Sequence, residues 1–185
     1  MDEFWGREAT PIHSSTHPLP LIAPESDIDK MNSPALNIVL VHPEIPHNTG
    51  AIGRLCVGLG CRLHLIRPLG FSLTSKMVRR AGMDYWQHVE LCEHDNWSAF
   101  IESERPRALA VASTHGQASL YATHFTPGHY LVFGSESGGL PKPLDTELAD
   151  RLFRIPMPGE HARSLNLAQS VAIVAYEAYR QLSPV

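Results

Sequence analysis

At 185 residues, with 43% hydrophobic and 18% charged residues, the chain has the make-up of one globular domain able to bury a real core. No apolar run approaches bilayer length, and no basic stretch followed by an apolar one marks a secretory signal, so membrane-spanning and secreted classes are not indicated. The net charge of −4 sits in residues 1–31, which hold six acids and two bases; the other 13 acids and 13 bases cancel, so charge neither supports nor excludes an RNA partner.

Residues 1–33 carry Pro11, Pro18, Pro20 and Pro24 and no sustained period, and are expected to be a disordered leader before a single domain over residues 34–185. Leu36–Val41 is a short β-branched and leucine run, the pattern of a buried parallel strand. A helix carrying Arg54, Leu55, Val57 and Leu59 follows, with Asn48 as its expected N-cap and Gly60 near its end. Leu63–Ile66 reads as a strand, Lys76–Ala81 as a short basic helix or turn, Val89–Cys92 as a strand, and Asn96–Glu102 as a helix. Ala108–Ala112 and Tyr130–Phe133 are two more strands. Leu144–Asp150 reads as a helix, Leu152–Ile155 as a strand, and Ser164–Leu182 as a long final helix with Ser164 at its N-cap. Strand and helix in alternation predict an α/β fold with a mostly parallel sheet. The final helix is apolar over Leu167, Val171, Val174, Ala175, Ala178 and Leu182, widened by Ala168, Ala172 and Ile173; such a breadth suits deep burial or a subunit interface.

Several familiar chemistries are absent from the sequence. Gly58-Leu59-Gly60 lies at a helix end rather than a strand-to-helix turn, Gly53 is followed by Arg54-Leu55 rather than Lys-Ser/Thr, and Ser137 lacks the glycine two residues before it that a nucleophile elbow needs. Eleven histidines show no metal-binding spacing, so no metal is expected. Cys56, Cys61 and Cys92, odd in number and set in apolar segments, suit reduced core thiols in a cytosolic protein.

Three segments carry polar and small residues where a plain core would be apolar. They are Pro43-Glu44-Ile45-Pro46-His47-Asn48-Thr49-Gly50-Ala51-Ile52-Gly53-Arg54, Gly134-Ser135-Glu136-Ser137-Gly138-Gly139-Leu140-Pro141, and Ile155-Pro156-Met157 running on to Arg163-Ser164-Leu165-Asn166-Leu167. The second follows an apolar strand directly, and open α/β sheets bind ligands at that edge. Arg54 is either a solvated helix arginine or a fork for phosphate. Lys76, Arg79 and Arg80 beside Tyr85 read as a solvated basic turn or as phosphate contacts next to a stacking ring.

In order and spacing the three segments resemble the SPOUT methyltransferases, within them the ribose 2′-O-methylating branch, and most closely the TrmL (YibK-like) group. The likeness covers about Leu36 to Leu182. It implies an α/β-knot fold with a C-terminal trefoil knot, against the usual rule that chains do not thread loops. It also implies a cytoplasmic homodimer using S-adenosylmethionine to methylate the tRNA wobble ribose at cytidine or modified uridine, in leucine tRNAs. Ala112, Gly134, Ile155 and Ser164 match the family's cofactor contacts, with Leu131, Met157 and Leu165 as further walls. Arg54 matches the motif arginine, and Asn48, Glu136, Ser164 and Asn166 match its companions, Glu136 orienting Arg54 or binding loop amides. Because a guanidinium stays protonated in proteins, Arg54 is expected to position and stabilise charge rather than take a proton. Ser135 and Gly138 stand where the group often has proline and arginine, a departure that bears on target choice.

Overall fold

The computed structural model describes residues 36–73 and 84–183. The expected leader and the basic segment Lys76–Ala81, with Arg79 and Arg80, lie outside the described residues.

Seven strands form one sheet: β1 (Leu36–Val41), β2 (Arg62–Ile66), β3 (Leu91–His94), β4 (Leu109–Ala112), β5 (Ala118–Ser119), β6 (His129–Phe133) and β7 (Leu152–Arg154). Their spatial order is β3-β2-β1-β6-β4-β7-β5. Every pairing is parallel. The longer helices are α1 (Pro46–Leu59), α2 (Trp97–Glu104), α3 (Lys142–Glu147) and α4 (Leu167–Leu182).

A parallel sheet needs cover on both faces, and β1 shows why its sequence lacks alternation. All six residues of Leu36–Val41 are buried. Leu36, Ile38 and Leu40 join a cluster with Ile52 and Cys56 of α1 and Val171, Val174, Ala175 and Ala178 of α4. Val39 and Val41 point the other way, onto Phe100 of α2 and Leu144 of α3. The expected α/β class and mostly parallel sheet are therefore present.

The predicted elements stand with shifted ends. Gly60 closes α1 with φ 63°, a left-handed conformation that glycine adopts without strain. Asn96 caps α2, its side chain accepting from the Ala99 amide at 2.9 Å. Asn48 does not cap α1. That helix starts two residues earlier at Pro46, where a missing N–H costs nothing, and Asn48 is buried inside the first turn. Nor does Ser164 cap α4, which begins at Leu167 with Asn166 as its cap. The third strand lies at Leu91–His94 rather than Val89–Cys92, and the two-residue β5 was not expected, being too short to leave a pattern.

Burial pushes the Cys61 thiol up to about 12 and raises Cys56 further, so both are inert core thiols, free as expected. No helix of the described residues is long and apolar enough to cross a membrane.

β7 enters between β4 and β5, and the segment joining those two strands crosses it closely. Arg154 of β7 donates to the carbonyls of Gly116 and Gln117 at 2.9 and 3.0 Å. A Cβ at Gly116 would fall 2.3 Å from the Phe153 carbonyl carbon, so only a glycine fits there. Gly116→Ala is expected to lower stability by about 3 kcal/mol, because rigid backbone must yield. Urea unfolding with an unchanged slope would record it; a change within experimental error would show that this crossing relaxes freely.

Candidate active site

The C-terminal ends of β6, β4 and β7, three neighbours in the sheet, open onto one cavity of ≈ 670 Å³. Its wall comes from Ala112–His115 after β4, Phe133–Leu140 after β6, Ile155 and Met157 after β7, and Arg163–Leu167 before α4, with Ile45 and Asn48 from the start of α1. The volume lies in the range of small-molecule sites.

Each loop is built by its own residues. After β6 the chain folds back on itself, Ser135 and Gly139 exchanging backbone hydrogen bonds at 2.9 and 3.0 Å. Gly139 has φ 67°. A Cβ at Gly134 would lie 2.1 Å from the Gly139 carbonyl carbon, so the loop closes only over a glycine.

Glu136 then reaches across to α1. Its carboxylate accepts from the backbone N–H of Glu44 at 2.8 Å and of Ile45 at 3.2 Å, and from Asn48 Nδ2 at 2.9 Å. No side chain of α1's own N-cap caps the helix. Glu136 brings two hydrogen-bond acceptors and a negative charge to that end, where the helix dipole favours an anion. Glu44 returns the contact, accepting from Ser137 N at 3.1 Å and Ser137 Oγ at 2.7 Å. Asn48 Oδ1 accepts from Asn166 Nδ2 at 2.9 Å, and Asn166 Oδ1 caps α4 through the amides of Ala168 and Gln169. One hydrogen-bonded line thus joins all three sequence segments at the cavity's edge.

Of the residues singled out in the sequence, Asn48, Ala112, Gly134, Glu136, Ile155, Met157, Ser164, Leu165 and Asn166 all line this cavity. Leu131 does not, which corrects the expectation of a further wall. It is fully buried in the core, while Phe133, two residues on and on the same face, reaches the cavity at the strand's end. Arg54 is not among the lining residues either. It is exposed on α1, its guanidinium 4.8 Å from the Tyr85 ring centroid, a cation–π stack. Tyr85 is itself held by a hydrogen bond from its hydroxyl to the Gly50 carbonyl at 3.0 Å. Glu136 therefore binds loop amides, and Tyr85 rather than Glu136 positions Arg54.

Sequence reasoning left out Glu44, Ser137 and Arg163 as site residues, although all three stand inside the quoted segments. The signal for Glu44 and Ser137 is the pairing itself, which needs two segments 93 residues apart to meet.

The family model described as the SpoU rRNA methylase family matches residues 35–176. A tRNA (cytidine(34)-2′-O)-methyltransferase from Polaromonas sp. (strain JS666) is 49% identical over 150 residues, which is 78% of this chain and 90% of that protein. A solved structure described by the 2-OH methylation of C/U34 on tRNA is 52% identical, with a TM-score of 0.71 over 79% of this chain and 95% of its own. An AdoMet-bound rRNA methyltransferase from Sinorhizobium meliloti is 27% identical, with a TM-score of 0.71 over 80% of this chain and 57% of its own. Matched over most of its described length and carrying its three site segments on one sheet edge, this chain belongs to the SpoU methylase family.

Proposed function

We propose that this protein is an S-adenosylmethionine-dependent 2′-O-methyltransferase for the ribose of the tRNA wobble nucleotide, cytidine or modified uridine at position 34, in leucine tRNAs, working in the cytoplasm with its substrate. The observation that carries the reading is the line Glu136–Asn48–Asn166, which assembles three distant segments around one cavity. The relatives at 49% and 52% identity carry the choice of substrate.

The cavity's residues fit the cofactor. Apolar side chains of Ile155, Met157 and Leu165 suit an adenine face, and Gly134 leaves backbone exposed for polar contact. Ala112, Gly134, Ile155, Met157, Ser164 and Leu165 would hold it. S-adenosylmethionine supplies an electrophilic methyl carbon when bound. The chain's own work is orientation and charge. Arg54, permanently cationic and stacked on Tyr85, would grip the RNA phosphate or stabilise the developing 2′-alkoxide. Asn48, Glu136 and Asn166 fix the loops that set the distance between the two reactants. Lys76, Arg79 and Arg80, close to Tyr85 in the sequence, would add phosphate contacts.

Two further parts of the reading concern architecture. The insertion of β7 between β4 and β5, with the close crossing at Gly116, supports a trefoil knot in the C-terminal half. Exposed Ile173 and Tyr176 on α4, at 36% and 56% exposure, support a homodimer.

Purified protein incubated with methyl-labelled S-adenosylmethionine and total tRNA should place label on the 2′-oxygen of nucleotide 34, read by digestion and mass mapping. Label at another ribose would keep the enzyme class and discard the wobble target. Absence of label on properly modified tRNA, with S-adenosylhomocysteine binding intact, would leave a binding protein. Arg54→Ala should lower kcat/KM by about 10²–10³-fold. S-adenosylhomocysteine affinity should hold within about twofold, since Arg54 does not line the cavity; equal losses in both would move Arg54 into the cofactor site. Glu136→Ala removes a charged acceptor of three hydrogen bonds and should cost about 2–3 kcal/mol of stability, with weaker cofactor binding. Glu136→Gln should recover part of both, and denaturant unfolding with calorimetric titration would separate them.

A further inference from the structure

We infer that Arg163 is a substrate-binding residue, its guanidinium taking a backbone phosphate of the target RNA beside the ribose to be methylated. The inference rests on the methyl-transfer reading above and names a contact for its substrate.

Arg163 belongs to the cavity wall yet is exposed, so it stands at the mouth. Its guanidinium makes no ion pair or hydrogen bond among the described residues. Other arginines are committed. Arg62, Arg67 and Arg180 face carboxylates, and Arg154, at the end of β7, donates to the Gly116 and Gln117 carbonyls. The acids of the wall are turned elsewhere. Glu136 accepts from three N–H groups of α1 and its approach, and Asp145 shares the first turn of α3 with Lys142.

The backbone that carries Arg163 is fixed on both sides. Before it, the Ala162 amide donates to the Gly159 carbonyl at 3.0 Å and closes a turn. After it, Asn166 is tied to Asn48 at 2.9 Å and caps α4. A cation on a pre-set backbone loses less freedom when it binds. The planar fork of an arginine matches the paired oxygens of a phosphate.

Ribose chemistry supplies that anion. The 2′-oxygen can take the methyl group only when held about 3–3.5 Å from its carbon. The target ribose then lies over the mouth. Its 3′-carbon adjoins the 2′-carbon and carries the next phosphate of the chain, so a phosphate arrives there with every substrate. Arg54 follows Asn48 by less than two turns of α1, and Arg163 shortly precedes Asn166. The two cations thus come from the two segments that the Asn48–Asn166 bond joins, and RNA drawn to that bond meets both. The cofactor also has a carboxylate, but a ligand filling the cavity is enclosed by its wall. An exposed guanidinium faces what approaches from solvent.

The test follows methylation of bulk tRNA by full-length protein over a series of potassium chloride concentrations, with total label as the readout. Arg163→Ala should lower kcat/KM for tRNA by about 10-fold or more, through KM. The slope of log kcat/KM against log salt should shrink by about 0.7, one phosphate's share on a single strand. S-adenosylhomocysteine affinity, read by calorimetry, should hold within about twofold. Arg163→Lys, which keeps the charge and loses the fork, should restore the slope and only part of the KM. An unchanged slope in the alanine variant overturns the inference. If S-adenosylhomocysteine affinity falls as well while the slope stays, Arg163 serves the cofactor's carboxylate instead. Wild-type protein that labels no tRNA overturns the functional reading itself, and this inference with it, before any variant is compared.

Discussion

Asn48 has a carboxamide with one accepting and one donating end, and both ends are spoken for. Asn166 uses its oxygen to cap α4, so only its nitrogen is left for Asn48. Asn48 must then present oxygen to Asn166 and nitrogen to Glu136, whose ionised carboxylate only accepts. The line has a direction, and it permits one arrangement of the three segments. A residue with two identical ends, or none, would leave the loops after β6 and before α4 without a common reference. The cavity exists because these loops are held at fixed separation, and the asymmetry of a single buried amide sets that separation.

The sheet places this line where it is useful. Parallel strands deliver all their C-terminal ends to one edge, and β6, β4 and β7 stand side by side there. The core beneath is closed on both faces, by α1 and α4 on one side and α2 and α3 on the other. A rigid platform under mobile chemistry is the usual division of labour between elements and loops. Arg54 follows the same logic from outside the cavity. Its charge faces the open surface, where an RNA would approach, and Tyr85 limits its freedom before any substrate arrives.

The other half of the sheet handles polar groups differently. At the cavity, acceptors meet donors: Glu136 and Glu44 are both satisfied by amides and a hydroxyl across the loop pair. Around His64 the polar groups pair inside the core instead: its ring nitrogens meet His94 Nε2 at 3.1 Å and Asn37 Oδ1 at 3.4 Å, against the aromatic rings of Phe100 and Tyr130. The first arrangement holds loops in place; the second satisfies polar side chains buried between strands.

Much of this was legible in the chain. Buried strands show as apolar runs, Gly60 marks a helix end, and the glycines and prolines of the three segments mark loops at strand ends, because those effects act within a few residues. The resemblance to the SPOUT methyltransferases also rests on local order and spacing, and most of the residues it pointed to line one cavity. Strand order, the passage of β7 between β4 and β5, and the positions of Asn48 inside α1 and of Ser164 on the cavity wall needed the tertiary structure. Asn48 looks like a cap by sequence, yet the helix starts before it and its amide is used by residues 88 and 118 positions away. His64 and His94, hydrogen-bonded across 30 positions, leave no local pattern for the same reason. The sequence by itself determined which segments are strands, helices and loops, since propensity and periodicity are short-range. Which distant polar groups meet was decided only by the fold, because hydrogen bonds are chosen by distance in space, and the chain brings those atoms together only once the sheet has formed.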